Sequence, residues 1–142
     1  MAKKILIVDD EPDVRELVKS RLKAARGFEV VSAVNGQSGL RAAIEEKPDL
    51  ILLDIMMPVM DGPTTAVLLR KNERTKNIPI IFLTSLVEKK ETKRSNHKIG
   101  NNLFIAKPFD PEELLSMIDK AIGGQKSQRS VTGEINESKI GL

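Results

Sequence analysis

The chain has 142 residues, of which 40% are hydrophobic and 30% are charged, and its formal net charge is +3. This length allows one domain with a substantial core. The lack of cysteine excludes disulfides and thiolate metal sites. The weak positive charge gives no argument for nucleic acid binding. No apolar run reaches the roughly 18–20 residues of a membrane span, and the N-terminal apolar run is too short for a signal peptide, so we expect a cytoplasmic protein.

Short apolar runs alternate along the chain with longer segments of helical periodicity. We interpret residues 5–8, 29–33, 50–53, 78–83 and 103–106 as strands. Three of these runs are hydrophobic without alternation, which is typical of parallel strands that are covered on both faces.

Helical patterns follow every predicted strand except the fourth. Residues 14–25 carry apolar side chains at helical spacing. The second and third helices are predicted after the turns at residues 35–36 and 61–63. The last helix is the best marked, because Asp110 is a good N-cap and Pro111 occupies the first helical position.

Strands that alternate with helices predict an α/β sheet built from right-handed crossover units. For so short a chain, five strands fit a flavodoxin-like arrangement better than a six-stranded dinucleotide-binding sheet. We therefore predict a doubly wound, five-stranded parallel sheet in the order 2-1-3-4-5, with helices on both faces. The predicted domain covers residues 1–122.

Two segments depart from this pattern. Residues 86–98 should form the fourth helix, but they are basic and have little apolar periodicity, so we expect that helix to be short or mobile. Residues 123–142 begin with two glycines and are polar, which is typical of a flexible tail or linker outside the core. A short docking helix that uses Val131, Ile135 and Leu142 is the alternative for this tail.

Polar residues stand at the carboxyl ends of four predicted strands. These residues are Asp9 and Asp10 after the first strand, Asp54 after the third, Thr84 after the fourth and Lys107 after the fifth. A sheet of this order binds ligands at that edge, between strands 1 and 3, so the residues should converge. Clustered carboxylates repel one another, and a hard divalent cation such as Mg²⁺ is the simplest remedy.

A carboxylate beside Mg²⁺, with an amine and a hydroxyl directed at the same point, indicates phosphoryl transfer. Asp54 is the best candidate acceptor because it lies on the central strand. Each residue also has an ordinary structural interpretation: Asp9 and Asp10 could cap the first helix. Thr84 could be a turn residue, and Pro108 could simply end the strand before it. The combination at four strand ends favours the phosphoryl-transfer site.

Four sequence blocks resemble the receiver domains of two-component response regulators. They are "ILIVDDEP" at 5–12, "PDLILLDIMMPVMDG" at 48–62, "IPIIFLTS" at 78–85 and "FIAKPF" at 104–109. The resemblance implies a signalling switch that receives a phosphoryl group, with Mg²⁺, from a histidine kinase or a phosphotransfer protein of a phosphorelay. Such a domain catalyses only its own phosphorylation and dephosphorylation. We expect an unidentified downstream protein target, a monomer or phosphorylation-dependent dimer, and no direct contact with nucleic acid or a membrane.

The resemblance also assigns the chemistry to individual residues. Asp54 matches the phosphoacceptor, and Asp9 and Asp10 match the pair of metal-binding acids. Met56 would bind Mg²⁺ through its backbone carbonyl. Gly62, the last residue of the second block, matches a glycine that forms a structural turn in the family.

The same resemblance implies a conformational switch. Thr84 matches the hydroxyl residue that moves onto the phosphoryl group, and Lys107 matches the lysine that pairs with it, before a cis-proline-like turn at Pro108. Phe104 matches the aromatic switch position. Phosphorylation would draw Thr84 inward, let Phe104 rotate in, and alter the surface formed by the fourth helix, the fifth strand and the last helix.

The chain departs from the family pattern at several positions. Phe104 stands in place of a tyrosine and has no hydroxyl. Val67 and Leu68 are apolar where charged residues are common, and we interpret them as scattered surface residues, with a partner patch as the alternative. Met56 and Leu86, which would flank the path of a hydrolytic water, are apolar, so we predict slow loss of phosphate.

Two other functions compete with the signalling switch. A Mg²⁺-dependent phosphohydrolase that acts through an aspartyl phosphate would need a second aspartate two positions after the nucleophile, where this chain has Met56. A transcription factor would need a DNA-binding segment, for which residues 123–142 are too few, so that function would require this chain to be a fragment of a longer regulator. The remaining acids of the N-terminal run, Glu11 and Asp13, are expected to take no part in the chemistry.

Overall fold

The computed structural model describes residues 2–85, 98–99 and 102–134. Within these residues, one six-stranded sheet carries helices on both faces. No helix in the described ranges is both long and apolar enough to cross a membrane. In chain order the elements are β1 (Lys4–Val8), α1 (Pro12–Arg26), β2 (Glu29–Ala33), α2 (Gly36–Glu46), β3 (Leu50–Asp54), α3 (Gly62–Lys71), β4 (Ile80–Thr84), β5 (Lys98–Ile99), β6 (Asn102–Ala106) and α4 (Pro111–Glu134).

The strand order is β2-β1-β3-β4-β6-β5, and neighbouring strands are parallel except for the antiparallel pair β5 and β6. The predicted order 2-1-3-4-5 is therefore confirmed for the predicted strands, the last of which is β6. Strand β5 at the sheet edge has no counterpart in the prediction, because two residues are too few to carry a periodic pattern. Strand order reverses between β1 and β3, which lie side by side at the centre.

The central strands are buried because helices cover both faces of the sheet. Every residue of β3 and of β4 is buried. Alternate residues of a strand point to opposite faces, so Ile5 and Ile7 of β1 enter the core under α1 and α4, whereas Leu6 and Val8 enter the core under α2 and α3. Full burial of one such side chain stabilises the fold by roughly 1.5–3 kcal/mol. The sheet is therefore a rigid support for the residues at its carboxyl edge.

Polar side chains determine where three of the helices begin. Asn35 Oδ1 accepts a hydrogen bond of 2.8 Å from Ser38 N, and Asn35 N donates to Ser38 Oγ at 3.3 Å, which completes a capping box for α2. Asp61 Oδ1 caps α3 through a bond of 2.8 Å. Asp110 Oδ1 accepts a bond of 3.0 Å from Glu112 N, in agreement with the predicted N-cap of the last helix.

Two predicted segments differ from the prediction or lie partly outside the described residues. Residues 86–97 of the predicted fourth helix lie outside the described residues, and Lys98 belongs to β5 rather than to a helix, because it pairs with Leu103. The last helix does not end at residue 122, since its backbone continues through Gly123 and Gly124 to Glu134. Glycine costs a helix about 1 kcal/mol relative to alanine but does not forbid it. Residues 135–142 are outside the description, so the domain boundary and the flexible tail stay predictions.

Candidate functional site

Four of the predicted site residues meet at the carboxyl edge of the sheet. Asp54 and Thr84 are the last residues of β3 and β4, Asp9 follows β1 directly, and Lys107 follows β6. The exposed fractions of Asp9, Asp54 and Thr84 are 0%, 5% and 1%. Parallel neighbouring strands end at one edge, and this is why residues distant in the sequence lie together here.

Asp9, Asp10 and Asp54 form a carboxylate cluster, in which each side chain offers an oxygen within 4.8 Å of the others. Asp9 and Asp54 are buried and Asp10 is exposed, so the cluster opens to solvent on one side. Carboxylates this close destabilise one another when all are ionised. The arrangement therefore favours a cation among them.

The backbone and one carboxylate oxygen of Asp9 are fixed by hydrogen bonds. Asp9 N donates to Ala33 O at 3.1 Å, and Asp9 Oδ1 accepts from Glu11 N at 2.9 Å. Arg15 Nη1 donates to Asp9 O at 2.8 Å. The other oxygen, Asp9 Oδ2, is buried and forms an ion pair with Lys107 Nζ at a distance of 2.9 Å.

Lys107 supplies a positive charge to the cluster. Its Nζ lies 2.7 Å from Glu11 Oε1, 2.9 Å from Asp9 Oδ2 and 3.3 Å from Asp54 Oδ1. Burial disfavours the charged amine, but the hydrogen bond with Glu11 and the carboxylates of Asp9 and Asp54 outweigh burial and raise the pKa of Lys107. Lys107 is therefore charged at neutral pH.

Asp54 is poorly stabilised as an anion. Its burial, and next the neighbouring Asp9 carboxylate, raise the pKa of Asp54 to about 6, although Lys107 acts in the opposite direction. One lysine thus does not compensate the burial and crowding of this carboxylate. A further cation close by would favour the ionised form.

The cluster has the ligand types of a site for a hard, oxygen-bound divalent cation. Asp9, Asp10 and Asp54 supply carboxylate oxygens, and two of these three residues are buried. A zinc site is unsupported, because the chain has no cysteine and a single histidine. Met56, whose carbonyl is the fourth predicted ligand, lies in the loop directly after β3, and the residue is 65% exposed.

The loop from β3 to α3 returns to the end of β3 through a close backbone contact at Gly62. Gly62 N donates to Ile55 O at 2.8 Å. A Cβ at this position would overlap the carbonyl oxygen of Asp54 and lie 2.8 Å from Ile55 Cα, so only glycine fits without a shift. At the other predicted turn, the peptide bond between Lys107 and Pro108 is cis.

Thr84 and Phe104 lie on the neighbouring strands β4 and β6. The Thr84 carbonyl accepts a hydrogen bond of 2.8 Å from Lys107 N, which ties β4 to the residue that follows β6. Phe104 is partly buried, and its ring stacks on Phe82, with ring centroids 5.2 Å apart and an interplanar angle of 26°. These two phenylalanines face each other in the register of the two strands. Phe104 therefore packs on the core below α2 and α3.

The structure corrects two expectations about the N-terminal acids. Glu11 is not separate from the site, because its carboxylate contacts Lys107 at 2.7 Å. Asp10 does not cap α1, whose N-cap is Glu11, and the Glu11 side chain makes no capping hydrogen bond. Sequence reasoning also missed the bond from Arg15 to Asp9. Glu11 and Lys107 are 96 positions apart, so no local pattern could have signalled their contact.

Comparison with known proteins adds family information to this geometry. Residues 5–119 match the family model described as the response regulator receiver domain. The DNA-binding dual master transcriptional regulator RpaA of Synechocystis is 41% identical over 115 residues, which is 81% of this chain and 47% of RpaA. The phosphate regulon transcriptional regulatory protein PhoB of Pseudomonas aeruginosa is 41% identical over 118 residues, which is 83% of this chain and 51% of PhoB.

The chain thus spans about half the length of these two relatives. Because they are transcriptional regulators, and RpaA is DNA-binding, the expectation that this chain makes no direct contact with nucleic acid has no support.

Solved structures with the same fold include two receiver proteins of similar size. The chemotaxis protein CheY4 of Vibrio cholerae is 31% identical, with a TM-score of 0.73 over 85% of this chain and 99% of that one. The receiver domain of the sensor histidine kinase PA1611 from Pseudomonas aeruginosa is 28% identical, with a TM-score of 0.73 over 87% of this chain and 99% of that one. The PA1611 structure has a magnesium ion coordinated in its active site cleft.

Proposed function

Because the chain belongs to the family of response regulator receiver domains, we propose that it is a signalling switch that is phosphorylated on Asp54. The observation that carries this proposal is the convergence of Asp9, Asp10 and Asp54 within 4.8 Å, with Lys107 Nζ 3.3 Å from Asp54 Oδ1. An acceptor carboxylate, two further acids and a lysine are the parts that a phosphoryl-transfer site needs.

The donor in this proposal is the phosphohistidine of a histidine kinase or of a phosphotransfer protein. A carboxylate oxygen of Asp54 attacks the phosphorus, an oxygen–phosphorus bond forms, and the phosphorus–nitrogen bond of the donor breaks. The electron pair of that bond leaves with the imidazole. Lys107 lies beside the acceptor oxygen and offsets negative charge on the phosphoryl oxygens.

Asp9, Asp10, Asp54 and the backbone carbonyl of Met56 are the proposed ligands of Mg²⁺. The close approach of these three carboxylates, two of which are buried, supports this assignment. Bound Mg²⁺ would supply positive charge to the transferring phosphoryl oxygens. Asp9 and Asp10 thereby serve to bind and orient, and Asp54 is the group that reacts.

The output of the switch runs through Thr84 and Phe104. The Thr84 hydroxyl moves onto the phosphoryl group, and Phe104 responds from the neighbouring strand. Its stack on Phe82 is the packing that such a movement would change. The altered surface, which includes β6 and α4, then controls a downstream protein partner in the cytoplasm. The chain acts in this proposal as a monomer or as a phosphorylation-dependent dimer.

A phosphohydrolase that acts on external substrates is disfavoured. Such an enzyme would place an acid two positions after the nucleophile, and this chain has Met56 there, with 65% of the residue exposed. In the proposed function, the phosphoryl group therefore stays on the chain as a signal, whereas a hydrolase would release it and react again.

The experiment that tests this proposal is treatment with acetyl phosphate in the presence and absence of Mg²⁺, followed by intact mass spectrometry. We expect one added phosphoryl group, dependent on Mg²⁺, on the wild type and on the control Asp13→Asn, which neutralises an exposed acid of the same segment. Asp54→Asn should not be labelled. Equal labelling of Asp54→Asn and wild type would overturn the assignment of the acceptor.

A further inference from the structure

The contact between Glu11 and Lys107 has no role in the function proposed above. Glu11 Oε1 accepts a hydrogen bond of 2.7 Å from Lys107 Nζ, the shortest of the three carboxylate contacts to that nitrogen. The exposed fractions of the side chains are 58% for Glu11, 14% for Lys107, 8% for Asp54 and 0% for Asp9. Glu11 therefore contacts the ammonium group from the solvent side, and Asp9 and Asp54 contact it from the interior of the protein.

An ammonium group has three N–H donors, and three carboxylates surround this one. A phosphoryl group on Asp54 brings new anionic oxygens that compete for the same donors. Asp9 is buried and is needed for the proposed cation, so Glu11 is the partner that can be exchanged most easily. Its solvent exposure lets its carboxylate return to water when the ammonium turns toward the phosphoryl group.

We propose that Glu11 is a positioning residue that retains Lys107 at the rim of the site until phosphorylation draws it away. This inference rests on the proposed function of Asp54. The Glu11–Lys107 contact stabilises the unphosphorylated chain and has to be exchanged as the phosphoryl group arrives. Glu11 therefore slows phosphorylation, and it acts through Lys107 rather than on the donor directly.

The first measurement compares the rate of phosphorylation by acetyl phosphate, at saturating Mg²⁺, in wild type, Glu11→Gln and Asp13→Asn. Asp13 is a matched control, because it is an exposed acid in the first turn of α1, two residues after Glu11, and its neutralisation changes the net charge equally. Loss of an ion pair with one exposed partner changes an equilibrium constant by a factor of roughly two to five. We expect Glu11→Gln to be faster by about this factor and Asp13→Asn to match the wild type. A rate for Glu11→Gln that is equal to or below that of Asp13→Asn overturns the proposal.

A double-mutant cycle shows whether the effect passes through Lys107. In a Lys107→Met background, the change Glu11→Gln should no longer alter the rate of phosphorylation, because the ion pair is already lost. A speed-up that persists in this background would mean that Glu11 acts by repelling the anionic donor, which overturns the positioning role.

A third measurement does not depend on phosphorylation at all. The rate at which an N-hydroxysuccinimide ester of acetate labels the Lys107 amine, followed by peptide mass spectrometry, should rise about two- to five-fold in Glu11→Gln and not in Asp13→Asn. Unchanged labelling of Lys107 overturns the proposed hold by Glu11 and leaves the assignment of Asp54 intact. Conversely, a wild type that acetyl phosphate does not label refutes the proposed function, and the exchange step with it, even where the amine labelling behaves as expected.

Discussion

Replacing Gly62 by alanine tests the tight turn that returns the chain to the end of β3. Gly62 N donates to Ile55 O at 2.8 Å. The new Cβ would overlap the carbonyl oxygen of Asp54 and lie 2.8 Å from Ile55 Cα. These neighbours are backbone atoms, which cannot turn aside as the tip of a flexible side chain can.

The expected loss of stability follows from these contacts. Carbon atoms in contact are most stable at about 3.5–4.0 Å, so the loop has to shift by about 1 Å. Overpacking costs roughly 1–3 kcal/mol, and weakening the hydrogen bond to Ile55 adds about 0.5–1.5 kcal/mol. The higher helix propensity of alanine offsets about 1 kcal/mol at most. We therefore expect Gly62→Ala to lower the free energy of unfolding by about 2 kcal/mol.

Urea unfolding, followed by circular dichroism, measures this loss. With a slope of roughly 1–3 kcal/mol per molar, the unfolding midpoint should fall by about 1 M. Gly123→Ala is the matched control, because Gly123 also lies in a helix and a Cβ there would meet nothing within 4 Å. It should leave stability unchanged or raise it by up to about 1 kcal/mol. Equal midpoints for Gly62→Ala and Gly123→Ala would refute the reasoning.

Three more predictions concern the site and its output. The pKa of Asp54 in the folded chain, about 6, is above the ordinary value of 3.8 for this side chain, so the folded, metal-free chain holds a proton that the unfolded chain releases, and it loses stability as the pH rises from about 4 to above 6. Asp54→Asn should remove this loss, roughly 2–3 kcal/mol at pH 7 and little at pH 4 by urea unfolding in EDTA; the same difference at both pH values would contradict it. Phe82→Leu should lower the free energy of unfolding by about 0.5–1.5 kcal/mol for the lost stack on Phe104, beyond the effect of the change in buried area. A double-mutant cycle with Phe104→Leu that finds no coupling between the two residues would rule out a stabilising stack. Met56→Asn combined with Leu86→Glu should speed the decay of the phosphorylated chain, measured by mass spectrometry after removal of the donor, and an unchanged decay rate would show that polar groups at these positions do not assist hydrolysis.

The elements that the sequence predicted well are those with a local cause. The run that ends at Asp54 is continuously apolar, which predicts a buried strand, and the structure has a fully buried strand there. Asp110 precedes a proline at the start of a helical pattern, which predicts an N-cap, and its side chain accepts a hydrogen bond from Glu112 N. The convergence of Asp9 with Asp54 also followed from sequence, since parallel strands bring their carboxyl ends to one edge. Strand β5 and the length of α4 were not predictable in this way, because two residues carry no period and a pair of glycines normally ends a helix.

The sequence by itself determined the order of the five predicted strands, the family resemblance and the residues at the strand ends. Only the tertiary structure decided which partners those residues have. Glu11 meets Lys107 because the parallel strands β1 and β6, which precede these residues, end at the same edge of the sheet, and Phe104 meets Phe82 because the two residues are partners in the register of β4 and β6. Such contacts depend on strand neighbours, register and side-chain direction together. None of these is encoded within a short window of sequence. For this reason nothing in the sequence indicated that Glu11, the acid next to Asp9 and Asp10, is the solvent-exposed partner of Lys107 in the folded chain.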